Sequence, residues 1–157
     1  MLKTPRGVFC YTFRMEVFIE NEAHKTQKNL FDEKTLEFKK TVEVSAPYPF
    51  AYGFVLNTTS GDGDNLDCFV ITGRVLNTGD RLNVRPIGLL EMYEDGELDH
   101  KVIAGIDGEG VELTKAMKTE IVDFLNSVFS HIPGKKMEVG DFKDSVAALE
   151  LLNQLRD

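Results

Sequence analysis

The chain has 157 residues, of which 42% are hydrophobic and 28% are charged, and its net charge is -8. This length and apolar content predict one folded domain over residues 1–157 and exclude a disordered chain. The acidic balance argues against nucleic acid as a partner, because binding to a phosphate backbone requires a basic surface. It is compatible with a protein that recruits cations in order to bind an anionic substrate.

The sequence contains no stretch of membrane-spanning length, so no membrane partner is expected. The N-terminal residues carry scattered charges without the apolar core of a signal peptide. Cys10 and Cys68 have a spacing that matches no zinc or redox motif. We therefore expect a cytoplasmic protein in which Cys68 is a small buried side chain.

The first two-thirds of the chain has the pattern of strands and turns. Residues 11–20 alternate between apolar and polar side chains, which predicts a strand with one solvent-facing side that ends at Glu20. Residues 36–44 predict a weaker strand. Residues 77–80 predict a turn between strands over 69–76 and 82–93.

The acidic run Asp62-Gly63-Asp64-Asn65-Leu66-Asp67 leads into an apolar segment. Residues 66–71 are apolar on both faces apart from Asp67, which predicts a buried strand. A buried carboxylate costs several kcal/mol unless it is paired, hydrogen-bonded or bound to a metal, and no cation is adjacent to Asp67 in sequence. Clustered carboxylates are typical ligands of hard divalent cations such as Mg²⁺. The alternative is an ordinary polar turn ahead of a strand, since Gly and Asp are common turn residues.

Asp95-Gly96 predicts a two-residue hairpin turn. In that register residue 94 faces 97, residue 92 faces 99 and residue 90 faces 101, so Glu94, Asp99 and Lys101 project from one side of the hairpin. Two acids and a lysine in this arrangement are suited to a second wall of a metal and phosphate site. The alternative is a solvated sheet edge that carries charge.

Two helices are predicted in the last third of the chain, over residues 113–131 and 142–156, from apolar residues at helical spacing. Ile132-Pro133-Gly134 ends the first helix. Asp141 is the predicted N-cap of the second, with Val146 in its apolar stripe. Strands followed by two helices predict an α+β fold around a small barrel.

Four motifs of the sequence resemble, in order and spacing, those of the soluble family I inorganic pyrophosphatases. They are Tyr48-Pro49-x-x-Tyr52-Gly53, Asp62-x-Asp64-x-Leu66-Asp67, Arg85-Pro86-Ile87-Gly88 and Asp99-x-Lys101. The resemblance extends from about Val17 to Met137. It implies a closed five-stranded barrel of the oligonucleotide-binding (OB) type with two flanking C-terminal helices.

The same resemblance implies hydrolysis of pyrophosphate to two phosphates by a metal-activated water, with several Mg²⁺ ions as cofactors and Mn²⁺ as the alternative. The implied metal ligands are Glu20, Asp62, Asp67, Glu94 and Asp99. The implied catalytic groups are Asp64, which takes the proton of the attacking water, together with Tyr52 and Lys101. Lys28, Lys40, Tyr52 and Lys101 are the implied phosphate contacts. Bacterial-type members are commonly hexamers, so a homo-oligomer is expected.

The chain departs from the family pattern at several of these positions. This chain has Asn65 where the family commonly has Pro or Glu, Lys40 where it has Arg, and Glu94 where it has Asp. It has Leu30 in place of a Glu, and Val128-Phe129 in place of a Tyr-Lys pair that binds phosphate in the family. Lys135 or Lys136 in the following loop is a candidate replacement for the lost lysine. Two alternatives to a pyrophosphatase follow: an enzyme for another phosphoanhydride, and a catalytically weak binding or scaffold module on the same fold.

Overall fold

The computed structural model describes residues 15–157. The strands in this range are β1 (Met15–Asn21), β2 (Gln27–Phe31), β3 (Phe38–Glu43), β4 (Ala51–Val55), β5 (Asp67–Ile71), β6 (Arg81–Glu94), β7 (Glu97–Leu98), β8 (Lys101–Ile106) and β9 (Met137–Lys143). The helices in this range are α1 (Lys115–Ser127) and α2 (Ser145–Leu155). None of the helices in the described range is long and apolar enough to cross a membrane.

Five strands close into a ring in the order β1-β4-β5-β8-β6, because β6 also pairs with β1. The β5–β8 pair is parallel and the other pairs of the ring are antiparallel. β7 and β9 each pair with β6 outside this ring, whereas β2 and β3 form a separate hairpin. Gly53 makes the β1–β4 contact sterically possible, since a Cβ atom there would lie 1.8 Å from the carbonyl oxygen of Phe18. The predicted OB-like barrel with two helices is confirmed.

The central strands are covered on both faces, which explains their continuous apolar sequence. In β5, Cys68 and Val70 pack in the same cluster as Leu152 of α2. Phe69, which points to the other face, packs in the cluster that contains Phe124 of α1. The strand predicted over 69–76 is shorter and begins earlier, at 67–71.

The predicted solvent-facing side of the first strand is confirmed at Glu16, whose side chain is 40% exposed, but is wrong toward the end of the strand. Phe18 and Glu20 are both buried, with exposures of 4% and 6%. The β2–β3 hairpin covers this side, and the rings of Phe18 and Phe31 lie 4.8 Å apart. The part of this strand predicted over residues 11–14 lies outside the described residues, as does Cys10.

The predicted start of the second helix is also wrong. The helix begins at Ser145 with Asp144 as its N-cap, and Asp141 lies in β9. Residues 137–143 form a ladder with β6 that satisfies backbone groups along the sheet, so the helix starts only after this strand ends. Val146 is consequently 58% exposed and does not join the core. α1 is shorter than predicted, at 115–127, with Thr114 as its N-cap.

Candidate active site

A cleft of about 260 Å³ lies among the β2–β3 hairpin, one end of the barrel and α1. Seven carboxylates line it: Glu20, Glu33, Asp62, Asp64, Asp67, Glu94 and Asp99. Three lysines also line it: Lys28, Lys101 and Lys135. The seven acids and three lysines leave a formal excess of four negative charges. The cleft is therefore suited to bind cations, and bound cations would in turn allow it to bind an anion.

Nine of the ten residues predicted for the site line this cleft. The exception is Lys40, which is exposed on β3 and pairs with Leu30 across the hairpin. The residue opposite Lys28 is Val42. Because opposite residues of a hairpin share a face, Lys40 projects from the same side of the hairpin as Leu30, which lines the cleft. Lys40 itself is not among the lining residues, and its contact with phosphate stays a prediction.

Lys101 supplies the cation that Asp67 lacks in the local sequence. The parallel register of β5 and β8 pairs Asp67 with Lys101. The Lys101 ammonium donates to Asp67 Oδ2 at 2.6 Å and to Asp99 Oδ2 at 3.0 Å. Burial by itself lowers the pKa of Lys101, but the charges of Asp67 and Asp99 outweigh it and raise this pKa above its usual value. Lys101 is thus a fixed positive charge at the base of the cleft.

The acidic loop is a tight turn that directs its carboxylates into the cleft, as the turn alternative predicts, while its metal-binding role stays a prediction. The Asp64 N–H donates to Asp62 Oδ1 at 3.0 Å, and Gly63 adopts a φ of 89°. Burial, followed by the charges of Asp62 and Asp67, raises the pKa of Asp64 above its usual value.

The 95–96 hairpin has the predicted register. Glu94 pairs with Glu97, and Leu90 pairs with Lys101. Glu94 and Asp99 line the cleft together with Lys101, as the same-side prediction requires. Burial raises the pKa of Asp99 to about 6, although the nearby Lys101 charge opposes this shift.

The apolar pair Val128-Phe129 lines the wall of the cleft and supports two lysines. The Lys135 ammonium lies 4.7 Å from the centroid of the Phe129 ring, and that of Lys28 lies 5.7 Å from it. Lys135 also donates to Glu94 Oε2 at 2.9 Å. The loop after α1 thus brings Lys135 into the cleft, whereas its neighbour Lys136 is exposed and does not line it.

Glu33 and Tyr48 line the cleft although sequence reasoning gave neither a role. Glu33 lies in the turn after β2, and its Oε1 accepts a hydrogen bond from the Asn65 N–H at 2.8 Å. Burial raises its pKa to about 7, aided by the charges of the acidic loop. Burial and then the charge of Glu33 raise the pKa of Glu20 to about 8. Tyr48 belongs to the Tyr48-Pro49-x-x-Tyr52-Gly53 motif, and the centroid of its ring lies 4.5 Å from that of Phe124.

The donor chemistry of the cleft fits hard divalent cations, which prefer carboxylate oxygens. Within residues 15–157, no group of three or more His, Cys, Asp or Glu side chains is already arranged around a metal position. The Lys101 ammonium lies between Asp67 and Asp99 instead.

Comparison with known proteins identifies the family. The model of the family described as inorganic pyrophosphatase matches residues 17–157. The inorganic pyrophosphatase of Halalkalibacterium halodurans is 32% identical over 151 residues, which covers 89% of this chain and 91% of that protein. The inorganic pyrophosphatase of Nanoarchaeum equitans is 30% identical over 155 residues, which covers 91% and 97%.

Solved structures agree with the sequence comparison. The structure of the Helicobacter pylori inorganic pyrophosphatase has a TM-score of 0.81 at 27% identity, covering 90% of this chain and 91% of that one. The Thermus thermophilus inorganic pyrophosphatase also has a TM-score of 0.81 at 27% identity, covering 90% and 88%. The chain therefore belongs to the inorganic pyrophosphatase family.

Proposed function

We propose that this protein hydrolyses inorganic pyrophosphate to two phosphates with Mg²⁺. The observation that carries this proposal is the small cleft in which seven carboxylates and three lysines converge, in a chain of this family. Its volume of about 260 Å³ lies below the usual range for small-molecule sites, roughly 300–1,000 Å³. A cleft of this size favours a compact anion such as pyrophosphate over a nucleoside triphosphate.

The carboxylates would hold the cations. Glu20, Asp62, Asp67, Glu94 and Asp99 are the proposed ligands. Bound Mg²⁺ supplies two effects, neutralisation of phosphate charge and a lowered pKa of the attacking water. Asp64 is the proposed proton acceptor, and its raised pKa brings it nearer to the range of an effective general base at neutral pH.

The cationic and phenolic groups would bind the substrate oxygens. Lys101 is held in place by two carboxylates, and Lys28 projects from β2, so both ammonium groups are available to donate to phosphate. Burial raises the pKa of Tyr52 well above its usual value, which keeps its hydroxyl protonated and able to donate. These donors would stabilise charge on the leaving phosphate.

Phosphate release from pyrophosphate with excess Mg²⁺ tests this proposal. We expect metal-dependent turnover that Asp64→Asn lowers by roughly 10²–10⁴-fold, the usual contribution of a general base. Asp123→Asn, an exposed position on α1, is the matched control and should retain full activity. A folded wild-type protein without turnover would refute the proposal. Faster turnover of nucleoside triphosphates than of pyrophosphate would support the phosphoanhydride alternative, which the apolar Val128-Phe129 wall motivates.

Lys135 is proposed to contact phosphate from the apolar wall. Lys135→Met should raise the KM for pyrophosphate roughly 10- to 150-fold, because loss of one charge-assisted hydrogen bond costs about 1.5–3 kcal/mol. The measurement is steady-state kinetics at saturating Mg²⁺, with Lys136→Met as the control. An unchanged KM would mean that Lys135 only neutralises Glu94.

A further inference from the structure

Glu33 is a cleft carboxylate that the family resemblance does not account for. It lies in the turn after β2, three residues beyond Leu30, and both residues line the cleft. Leu30 presents only an apolar side chain to the cleft, so the β2–β3 hairpin contributes its carboxylate from the turn and not from the strand.

The acidic loop fixes this turn in place. Glu33 Oε1 accepts the Asn65 N–H at 2.8 Å, and the Lys34 ammonium donates to Asn65 Oδ1 at 3.3 Å. Asn65 is 4% exposed, so these contacts lie at a well-packed position. A proline at position 65 would have no N–H to donate. Asn65 therefore supplies a contact for Glu33 that proline, one of the common residues at this position in the family, would not.

One carboxylate oxygen of Glu33 remains available. Among residues 15–157, Oε2 accepts no hydrogen bond, while Oε1 is occupied by Asn65. A carboxylate held by one oxygen is a common arrangement in cation sites, because the hydrogen bond orients the oxygen that ligates. A purely structural role for Glu33, in which it only holds the turn against the acidic loop, would require only the hydrogen bond at Oε1.

We propose that Glu33 is a further cation-holding carboxylate of this cleft, which acts with Glu20 and takes the place that Leu30 leaves without a carboxylate. The inference rests on the proposed function for the identity of the cation as Mg²⁺ or its Mn²⁺ substitute. It concerns cation affinity and does not require Glu33 to contact pyrophosphate.

Mn²⁺ binding to the full chain without substrate tests this inference, by calorimetry or by electron paramagnetic resonance of free Mn²⁺. Glu33→Gln keeps an oxygen for the Asn65 N–H but loses the charge, and should weaken Mn²⁺ binding at one site about 10-fold. Glu37→Gln, an exposed position on the same turn, is the control and should leave the isotherm unchanged. An unchanged isotherm for Glu33→Gln would overturn the proposal and leave Glu33 with only the structural role of holding the turn.

A rescue variant separates lost charge from lost structure. Leu30→Glu combined with Glu33→Gln returns a carboxylate to the same wall, and should restore most of the lost Mn²⁺ affinity. Failure of this rescue, with an unfolding temperature equal to that of the wild type, would also overturn the proposal. Because binding is measured without substrate, absence of pyrophosphate turnover in the wild type would refute the proposed function while leaving the role of Glu33 to be decided by the isotherms.

Discussion

Lys101→Met is expected to destabilise the metal-free protein by about 3–5 kcal/mol, the usual cost of removing one partner from a buried ion pair. Lys101 is 4% exposed and is hydrogen-bonded to both Asp67 and Asp99. Methionine fills a similar volume, so the loss should come from two like charges left without their cation. The same change should lower kcat for pyrophosphate by roughly 10²–10³-fold, the cost of one lost charge-stabilising donor.

Urea unfolding with and without Mg²⁺ separates the two roles of Lys101. If Asp67 and Asp99 hold a cation, Mg²⁺ should restore more stability to Lys101→Met than to the wild type, while activity remains low. Lys115→Met, at an exposed position at the start of α1, controls for the change in residue type. Loss of less than about 1 kcal/mol in metal-free buffer would contradict the ion-pair account.

The sequence showed that the Asp67 carboxylate requires a partner, but it did not show which residue that partner is. The apolar run after Asp67 correctly predicted a buried strand, and the cost of burial correctly predicted a partner. That partner, Lys101, comes from a strand 34 residues away through a parallel register. Parallel pairing requires a crossover, so no local pattern specifies its register. A bound metal ion and the Lys101 ammonium are two ways to offset the same free-energy cost of burying the Asp67 carboxylate.

The predicted start of the second helix was wrong because the local sequence fits both a helix and a strand. Asp141 and Asp144 are both acceptable N-caps, and apolar residues at 139 and 142 fit a helix or a strand equally well. Pairing of Phe142 with Leu90 decides in favour of a strand. This contact depends on the edge of β6 being available, which is a property of the whole sheet.

The site was predicted best where one hairpin or one loop carries it. Glu94, Asp99 and Lys101 were placed together because the Asp95-Gly96 turn fixes the register. Glu33 was missed because its contact with Asn65 spans 32 residues and follows no periodic pattern. Lys40 was included by resemblance, and the hairpin register places it opposite Leu30, on the side of the hairpin that faces the cleft, although its side chain is exposed and does not line the cleft.

The metal-free protein is expected to lose stability as the pH rises from about 5 to 8.5. Burial raises the pKa of Glu20 to about 8 and that of Glu33 to about 7, above the value of 4.5 expected in the unfolded chain. The folded state therefore binds more protons than the unfolded state between these values, so the free energy of unfolding falls with pH. One such group changes stability by about 1.4 kcal/mol per pH unit at most, so the two shifts set an upper limit of about 8 kcal/mol, and solvent screening of the partly exposed Glu33 lowers the expected total to the order of 5 kcal/mol.

Excess Mg²⁺ should reverse this pH dependence, because ligation requires ionised carboxylates and stabilises only the folded state. Thermal unfolding at pH 5.5 and pH 8.5, with Mg²⁺ or with NaCl at equal ionic strength, measures the effect. Mg²⁺ should raise Tm more at pH 8.5 than at pH 5.5. Glu20→Gln should flatten the metal-free profile and reduce the Mg²⁺ effect, whereas Glu150→Gln, exposed on α2, should change neither. A metal-free stability that stays constant or rises across this pH range would show that the pKa values of the cleft carboxylates are not raised in the folded protein, and that Lys28, Lys101 and Lys135 already neutralise them without a divalent cation.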